Sequence, residues 1–194
     1  VATITASIKN PRYIAFANGK GYVTNWGVGE DANDDYVGIL DLATNTITSK
    51  IPVVEGPEKI IENGGKLYVT HKGGYNFGNS LTVINSATNS VVTNFVVGDM
   101  PSALVKDSGS LYILCEGYPY YAPTQTAGKL VKVSLSANTI TSTLSFEGIT
   151  HPGFLDIEND KLYYTIDSNI YSLTTSATTL PAAPVFKATE VTSL

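Results

Sequence analysis

The chain has 194 residues, enough for one ordinary domain with its own core, and its 43% hydrophobic content is normal for a globular protein. A formal charge of −5, with no cluster of Lys or Arg, lacks the electrostatic footprint of backbone-driven nucleic-acid binding, which excludes DNA and RNA as expected partners. The only cysteine, Cys115, excludes an intrachain disulfide framework and a multi-cysteine metal site; beside an apolar strand it reads as a buried, inert thiol.

Composition favours strands. Val, Ile, Thr and Tyr are abundant, with 17 Gly and many Asn and Ser, while the Ala, Glu, Lys and Arg of exposed helix faces are scarce. In chain order, Thr3–Ile8 reads as a strand that belongs to a neighbouring unit. A long repeat follows: PRYIAFANGKGYVTN is echoed by PEKIIENGGKLYVTH, PSALVKDSGSLYILC and PGFLDIENDKLYYTI. Pro11, Pro57, Pro101 and Pro152 each precede a tyrosine by the same step of 11, at Tyr22, Tyr68, Tyr112 and Tyr163. The second half of each unit repeats too, in YVGILDLATNTI, LTVINSATNSV, LVKVSLSANTI and NIYSLTTSATTL.

Each unit divides into four short runs of β-formers separated by Gly, Asn, Asp and Ser, here called A to D. In the first unit A is Tyr13–Phe16, B Gly21–Thr24, C Tyr36–Asp41 and D Thr46–Ile51. The A–B connections, ANGKG, ENGGK, KDSGS and ENDK, offer residues that accept positive φ, as tight hairpins require. Four-stranded antiparallel units recurring every 44 to 51 residues predict an all-β fold, a β-propeller of four-stranded blades. The units span about 11–56, 57–100, 101–151 and 152–194, with residues 1–8 as the outer strand of a preceding or closing blade. The recurring tyrosines are expected to serve packing.

Length varies at one place. From the B tyrosine to Asp41, Asn85, Ser134 and Thr174 the step is 19, 17, 22 and 11, so insertion is concentrated in the B–C loops. In an up-and-down blade the B–C and D–A connections emerge on one face. Loop one, Trp26–Asp35, loop two, Lys72–Asn79, and loop three, Glu116–Gly128, carry more aromatic residues than inert linkers need; rings on scaffolded loops are a common way to build binding sites. The candidate ligand-binding residues are Arg12, Trp26, Asp31, Asp34, Lys72, Tyr75, Asn76, Phe77, Glu116, Tyr118, Tyr120, Tyr121 and His151. The competing structural role is that these rings pack on one another to pin long loops.

No cofactor and no catalytic residue is expected. Asp31, Asn33 and Asp35 have the alternation of a calcium loop, but Tyr36 stands where an EF-hand needs Gly and Leu42 where it needs Glu, which leaves calcium a subordinate alternative. His71 and His151 lack an evident third metal ligand. The adjacent carboxylates Asp34 and Asp35 say nothing about facing acid/base geometry.

GYVTN and LYVTH, with P-x-x-I-x-x-x-x-G-K before them and V-x-x-x-x-A-T-N-x-[IV] after, resemble the YVTN-repeat β-propellers over nearly the whole chain. Within that superfamily, NPRYIAFANGKGYVTNWG and GPEKIIENGGKLYVTHKGGYNFGNSLTVIN are most similar to propellers of Bacteroidetes surface lipoproteins, which include a cobalamin-binding surface receptor. The resemblance implies a ring of seven blades, of which this chain would supply four. It implies a non-enzymatic receptor at the cell surface or outer membrane of a Gram-negative bacterium, exported, with its signal or lipid anchor outside this sequence. The implied ligand is a cobamide or similar nutrient, and the implied partner an outer-membrane transporter; the membrane would be reached only through the anchor. A protein or glycan interaction scaffold is the alternative, and a lactonase or quinoprotein-like enzyme the second, since such enzymes use related propellers.

Overall fold

The computed structural model describes residues 3–29, 31 and 33–193. Its strands form four sheets of four antiparallel strands, each sheet in simple sequence order. The first holds β1 (Pro11–Ala17), β2 (Lys20–Asn25), β3 (Tyr36–Asp41) and β4 (Thr46–Pro52). The second holds β5 (Pro57–Asn63), β6 (Lys66–His71), β7 (Ser80–Asn85) and β8 (Ser90–Val96). The third holds β9 (Pro101–Asp107), β10 (Ser110–Cys115), β11 (Lys129–Ser134) and β12 (Thr139–Ser145). The fourth holds β13 (Pro152–Glu158), β14 (Lys161–Ile166), β15 (Asn169–Thr174) and β16 (Phe186–Lys187). The chain divides into two compact units, Val1–Val96 with the first two sheets and Val97–Leu194 with the last two.

Turn chemistry sets the meander. Asn18, Ser108, Asn159 and Asp160 in the A–B turns have positive φ, the backbone state a right-twisted two-residue hairpin requires. In the C–D turns Asn45, Asn89 and Asn138 occupy the left-handed region, and the side chain that ends strand C, Asp41, Asn85 or Ser134, accepts hydrogen bonds from backbone N–H groups of the turn.

The YVTN text acquires a physical meaning residue by residue. Strand A opens on a proline, which has no N–H to give to the ladder, and the register of β1 on β2 slips between Pro11 and Ile14. The threonine repairs the slip: Tyr13 N donates to Thr24 Oγ1 at 3.0 Å, and Lys59 N to Thr70 Oγ1 at 3.1 Å. In the third sheet Leu114 replaces that threonine, and pairing continues without a slip as far as Ala103. Within each unit the tyrosine of the first sheet, Tyr22 or Tyr112, packs toward the second. Tyr22, Ile39, Leu67, Val69 and Ile84 share one buried cluster in the first unit; Tyr112, Leu130, Leu162, Tyr164 and Leu173 share another in the second.

Those tyrosines also carry a polar tie. The Tyr22 hydroxyl lies 3.0 Å from Ser86 O and 2.8 Å from Asn89 Oδ1, both in the next sheet's C–D turn, and the Tyr112 hydroxyl donates to Thr175 O at 3.3 Å. Tyr163 differs from Tyr22, Tyr68 and Tyr112, which are fully or nearly buried: it is only half-buried, on the flank of the fourth sheet.

Two expected strands take another form. Thr3–Ile8 lies in coil and a turn, and the outermost place in the fourth sheet is held by β16. The fourth D strand shrinks to the two residues of β16, because Pro181 and Pro184 interrupt residues 175–185 and cannot donate to a ladder.

The tie predicts an asymmetry between repeats. Tyr22→Phe should lower stability by about 1 kcal/mol, the net value of a buried hydrogen bond. Tyr163→Phe should stay within about 0.5 kcal/mol of the wild type. Urea unfolding midpoints of the two variants check this.

Candidate functional site

In the first unit, loops one and two meet over strand β1. Trp26 stands edge-on to Tyr75, with centroids 6.0 Å apart, and the Arg12 guanidinium lies 4.2 Å above the indole. The same guanidinium makes a bidentate pair with Glu58, each N···O distance being 3.2 Å. Glu58 is buried, so Arg12 is fixed between a carboxylate and a ring face while its own side chain stays 38% exposed. Asn10 joins the two loops, its amide donating to Gly27 O at 2.8 Å and to the Tyr75 hydroxyl at 2.7 Å. Trp26 is half-buried, and its Nε1, itself buried, has no hydrogen-bond partner among the described residues.

The acids of loop one serve the backbone first. Asp31 accepts from Asn33 N at 2.9 Å in a local turn; both Asp34 oxygens accept from Val28 N, at 3.0 and 3.2 Å. Gly27 permits this: its φ is +62°, and a Cβ there would collide with the Asp34 carboxylate. Asp35 turns inward, only 2% exposed, with Oδ2 accepting from Gly56 N and Oδ1 without a partner among the described residues. Among the described residues no three His, Cys, Asp or Glu side chains are grouped to hold a metal ion, so the calcium alternative finds no cluster there. In loop two, Asn76 donates to Glu55 Oε1 at 2.6 Å, Lys72 N donates to Gly56 O, and Phe77 is half-buried.

His71 is structural. It is buried at the end of β6, and one directional chain runs through it: Asn94 donates to Thr82 Oγ1 at 2.8 Å, Thr82 to His71 Nε2 at 2.8 Å, and His71 Nδ1 to Glu55 O at 3.3 Å. Burial lowers its pKa to about 4, so the ring stays neutral.

In the second unit, loop three closes on its own backbone. Tyr118 N donates to Thr126 Oγ1 at 2.8 Å, that hydroxyl donates to Asp99 Oδ2 at 2.7 Å, and Thr126 N returns to Tyr118 O. His151 Nδ1 donates to Glu116 O at 2.8 Å, leaving Nε2 to accept from the Gln125 amide at 3.0 Å, which specifies a neutral tautomer. Tyr120 and Tyr121 stand edge to face, centroids 5.4 Å apart, and are 83% and 67% exposed. Cys115 is buried, as expected, and burial raises its thiol pKa far out of the reactive range.

The candidate residues thus gather as Arg12, Trp26 and Tyr75 in one unit, and as Glu116 with His151 and Tyr120 with Tyr121 in the other. Asp31 and Asp34 are drawn off into turns. Sequence reasoning missed Asp35 as a buried carboxyl, Glu55 and Gln125 as polar partners, and Tyr164, which is fully buried with an unpartnered hydroxyl. Tyr164 did leave a signal: YYTI has tyrosine where the other units have Val23, Val69 and Ile113.

No family model matches the chain, and no curated protein does. Solved structures do. The chain superposes on hydrazine synthase from Kuenenia stuttgartiensis with a TM-score of 0.72 and 16% identity, over 96% of this chain and 52% of that one. On BamB from Moraxella catarrhalis the TM-score is 0.55, with 12% identity over 84% of this chain and 46% of that one. On glutaminyl cyclase from Myxococcus xanthus it is 0.51, with 11% identity over 89% and 68%. The chain therefore spans about half the length of the first two. At such identities the likeness concerns the scaffold, a β-propeller-like fold of four-stranded antiparallel blades.

Asp35 supplies a pH test. Burial, together with the charges of Asp34, Glu55 and Asp31 and against the Gly56 hydrogen bond, raises its pKa to about 6. A carboxyl with a raised folded pKa holds its proton in the native state more firmly than when unfolded, so its contribution to stability falls as pH rises from about 4 to about 6. Asp35→Asn keeps an oxygen for Gly56 N and removes the buried charge. The variant should melt above the wild type at pH 7.5, and the gap should narrow at pH 4.5, as read from thermal unfolding at the two values.

Proposed function

We propose that this protein is a non-enzymatic binding module that presents loop aromatics to a bulky ligand with both flat and polar surface. The observation that carries the reading is the Tyr120–Tyr121 pair. Loop three is closed by Thr126, Asp99 and its own backbone, and it presents two large rings that are mostly in solvent. The first unit supports it with the half-exposed ring of Tyr75 and the part-exposed guanidinium of Arg12, held over Trp26. Exposed rings for area, with the part-exposed guanidinium of Arg12 for orientation, suit a receptor.

The resemblance of GYVTN and LYVTH to YVTN-repeat propellers of Bacteroidetes surface lipoproteins points the same way. It proposes a cobamide as the ligand, capture at the bacterial surface, and delivery to an outer-membrane transporter. A protein or glycan partner is the second reading, favoured by the protrusion of Tyr120 and Tyr121.

Titration of the full chain with cyanocobalamin and with cobinamide, followed by calorimetry and by the fluorescence of Trp26, tests the cobamide reading. Saturable binding is expected, about tenfold weaker in the Tyr120→Ala/Tyr121→Ala double variant. The melting temperature of that variant should fall by no more than a few degrees, since both rings are largely exposed. Absence of heat and of fluorescence change with both compounds would sink the cobamide assignment, and a large loss of stability in the double variant would return the rings to a structural role.

A further inference from the structure

A groove of about 530 Å³ in the first unit is formed by the end of β4 and the connection that follows it, by β7 and β8, and by one residue of loop one. Val54 and Val91 give it apolar surface that solvent reaches, at 46% and 44% exposure.

The polar character of this groove is set by the hydrogen-bond chain through His71. A carbonyl only accepts, so Nδ1 of the neutral ring carries the proton for Glu55 O, and Nε2 must accept from Thr82 Oγ1. With its proton committed, Thr82 accepts from the Asn94 amide nitrogen, which also donates to Ser80 Oγ at 3.0 Å. Asn94 is exposed and lines the groove, and both N–H groups of its amide are engaged by the sheet. Its carbonyl oxygen is the atom left without a partner among the described residues. Glu55 follows the same pattern: Oε1 accepts from the Asn76 amide at 2.6 Å, and Oε2 has no hydrogen bond among the described residues. Both open atoms are acceptors. No Lys or Arg lines the groove, and the exposed amide of Asn33 is the one lining side chain with N–H groups not already engaged. Asp31, Asp34 and Glu55 all act electrostatically on Asp35, so negative charge converges at the Glu55 end.

We infer that this groove binds a primary aliphatic ammonium ligand, its alkyl chain on Val54 and Val91 and its charged group on the open acceptors, the Glu55 carboxylate first. An ammonium has three donors and no acceptor, the complement of a carboxylate and a carbonyl oxygen. The carboxylate favours it over an alcohol of the same length and repels an acid. The volume falls in the range of small-molecule sites. The assignment goes beyond the loop reading above and uses none of the rings on which that reading rests.

Ligand-observed NMR on the full chain, with n-pentylamine and cadaverine as probes and 1-pentanol and pentanoate as controls of equal length, tests the assignment at neutral pH and low salt. At least one amine should give a saturable response that exceeds any from the controls and weakens several-fold as ionic strength is raised. Glu55→Gln keeps an oxygen for Asn76 and removes the charge, and it should weaken amine binding several-fold. Val91→Lys, which sets a cation on the groove, should abolish it. Val91 is exposed and Glu55→Gln is close in shape, so both variants should melt within a few degrees of the wild type. If Val91→Lys fails to fold, Glu55→Gln decides alone. No response from either amine at tens of millimolar, an equal response from pentanol, a response from pentanoate alone, or amine binding unchanged in Glu55→Gln would each overturn the proposal. Cobamide binding by the loops is read with different ligands and different variants, so either assignment can fail without the other.

Discussion

A buried tyrosine tied to the turn of the next sheet is the constraint on which the other features depend. Two neighbouring β-sheets could slide over one another at small cost if only aliphatic side chains met, because apolar burial has no direction. Tyr22 removes that freedom. Its ring fills the space between the first two sheets, and its hydroxyl accepts one position only, opposite Ser86 O and Asn89 Oδ1. Tyr112 does the same against Thr175. Within each of the first two sheets the threonine of strand B satisfies the donor freed by the strand-A slip, a bond internal to the sheet.

The first unit shows what a fixed frame permits. Arg12 lies in strand A, Glu58 in strand A of the next sheet, Trp26 at the end of strand B and Tyr75 in the following B–C loop, yet all four meet within hydrogen-bonding or ring-contact distance. The polar interior is largely paired as well, as the chain from Asn94 to Glu55 through a neutral His71 illustrates. Against that background four buried groups without a partner among the described residues stand out: Trp26 Nε1, Asp35 Oδ1, Ser102 Oγ and the Tyr164 hydroxyl. Each is costly to leave open.

Much of the scaffold was legible because its determinants are local. Positive-φ residues in the A–B turns, proline at the head of strand A and a fixed step from proline to tyrosine need no knowledge of distant contacts, and the strands from Tyr36 to Asp41 or Thr46 to Pro52 fall where β-formers and turn residues place them. The shortened fourth D strand was written in Pro181 and Pro184 but masked by the regularity of the repeat. The loops were less legible. Four acids in loop one suggest ion chemistry, whereas Asp34 folds back to cap Val28 and Asp35 enters the interior; both outcomes depend on Gly27 and Gly56, residues whose sequence context carries no sign of what they will face. Aromatic loop residues were found as a class, but which of them would pack, as Trp26 and Tyr75 do, and which would stand in solvent, as Tyr120 does, depends on neighbours brought in from other strands.

The tyrosine ties have one more consequence. They engage the C–D turns, at the opposite ends of the strands from the B–C loops, so a B–C loop can lengthen, shorten or change composition without touching the contact that registers one sheet on the next. Structural inheritance and chemical novelty are thereby assigned to opposite ends of the same strands. A lineage, or an engineer, could exchange the exposed tip of loop three, Pro119–Thr124, for a stretch of different length and chemistry while the blades keep their places, which makes such a tip an exchangeable cassette carried on a constant mount.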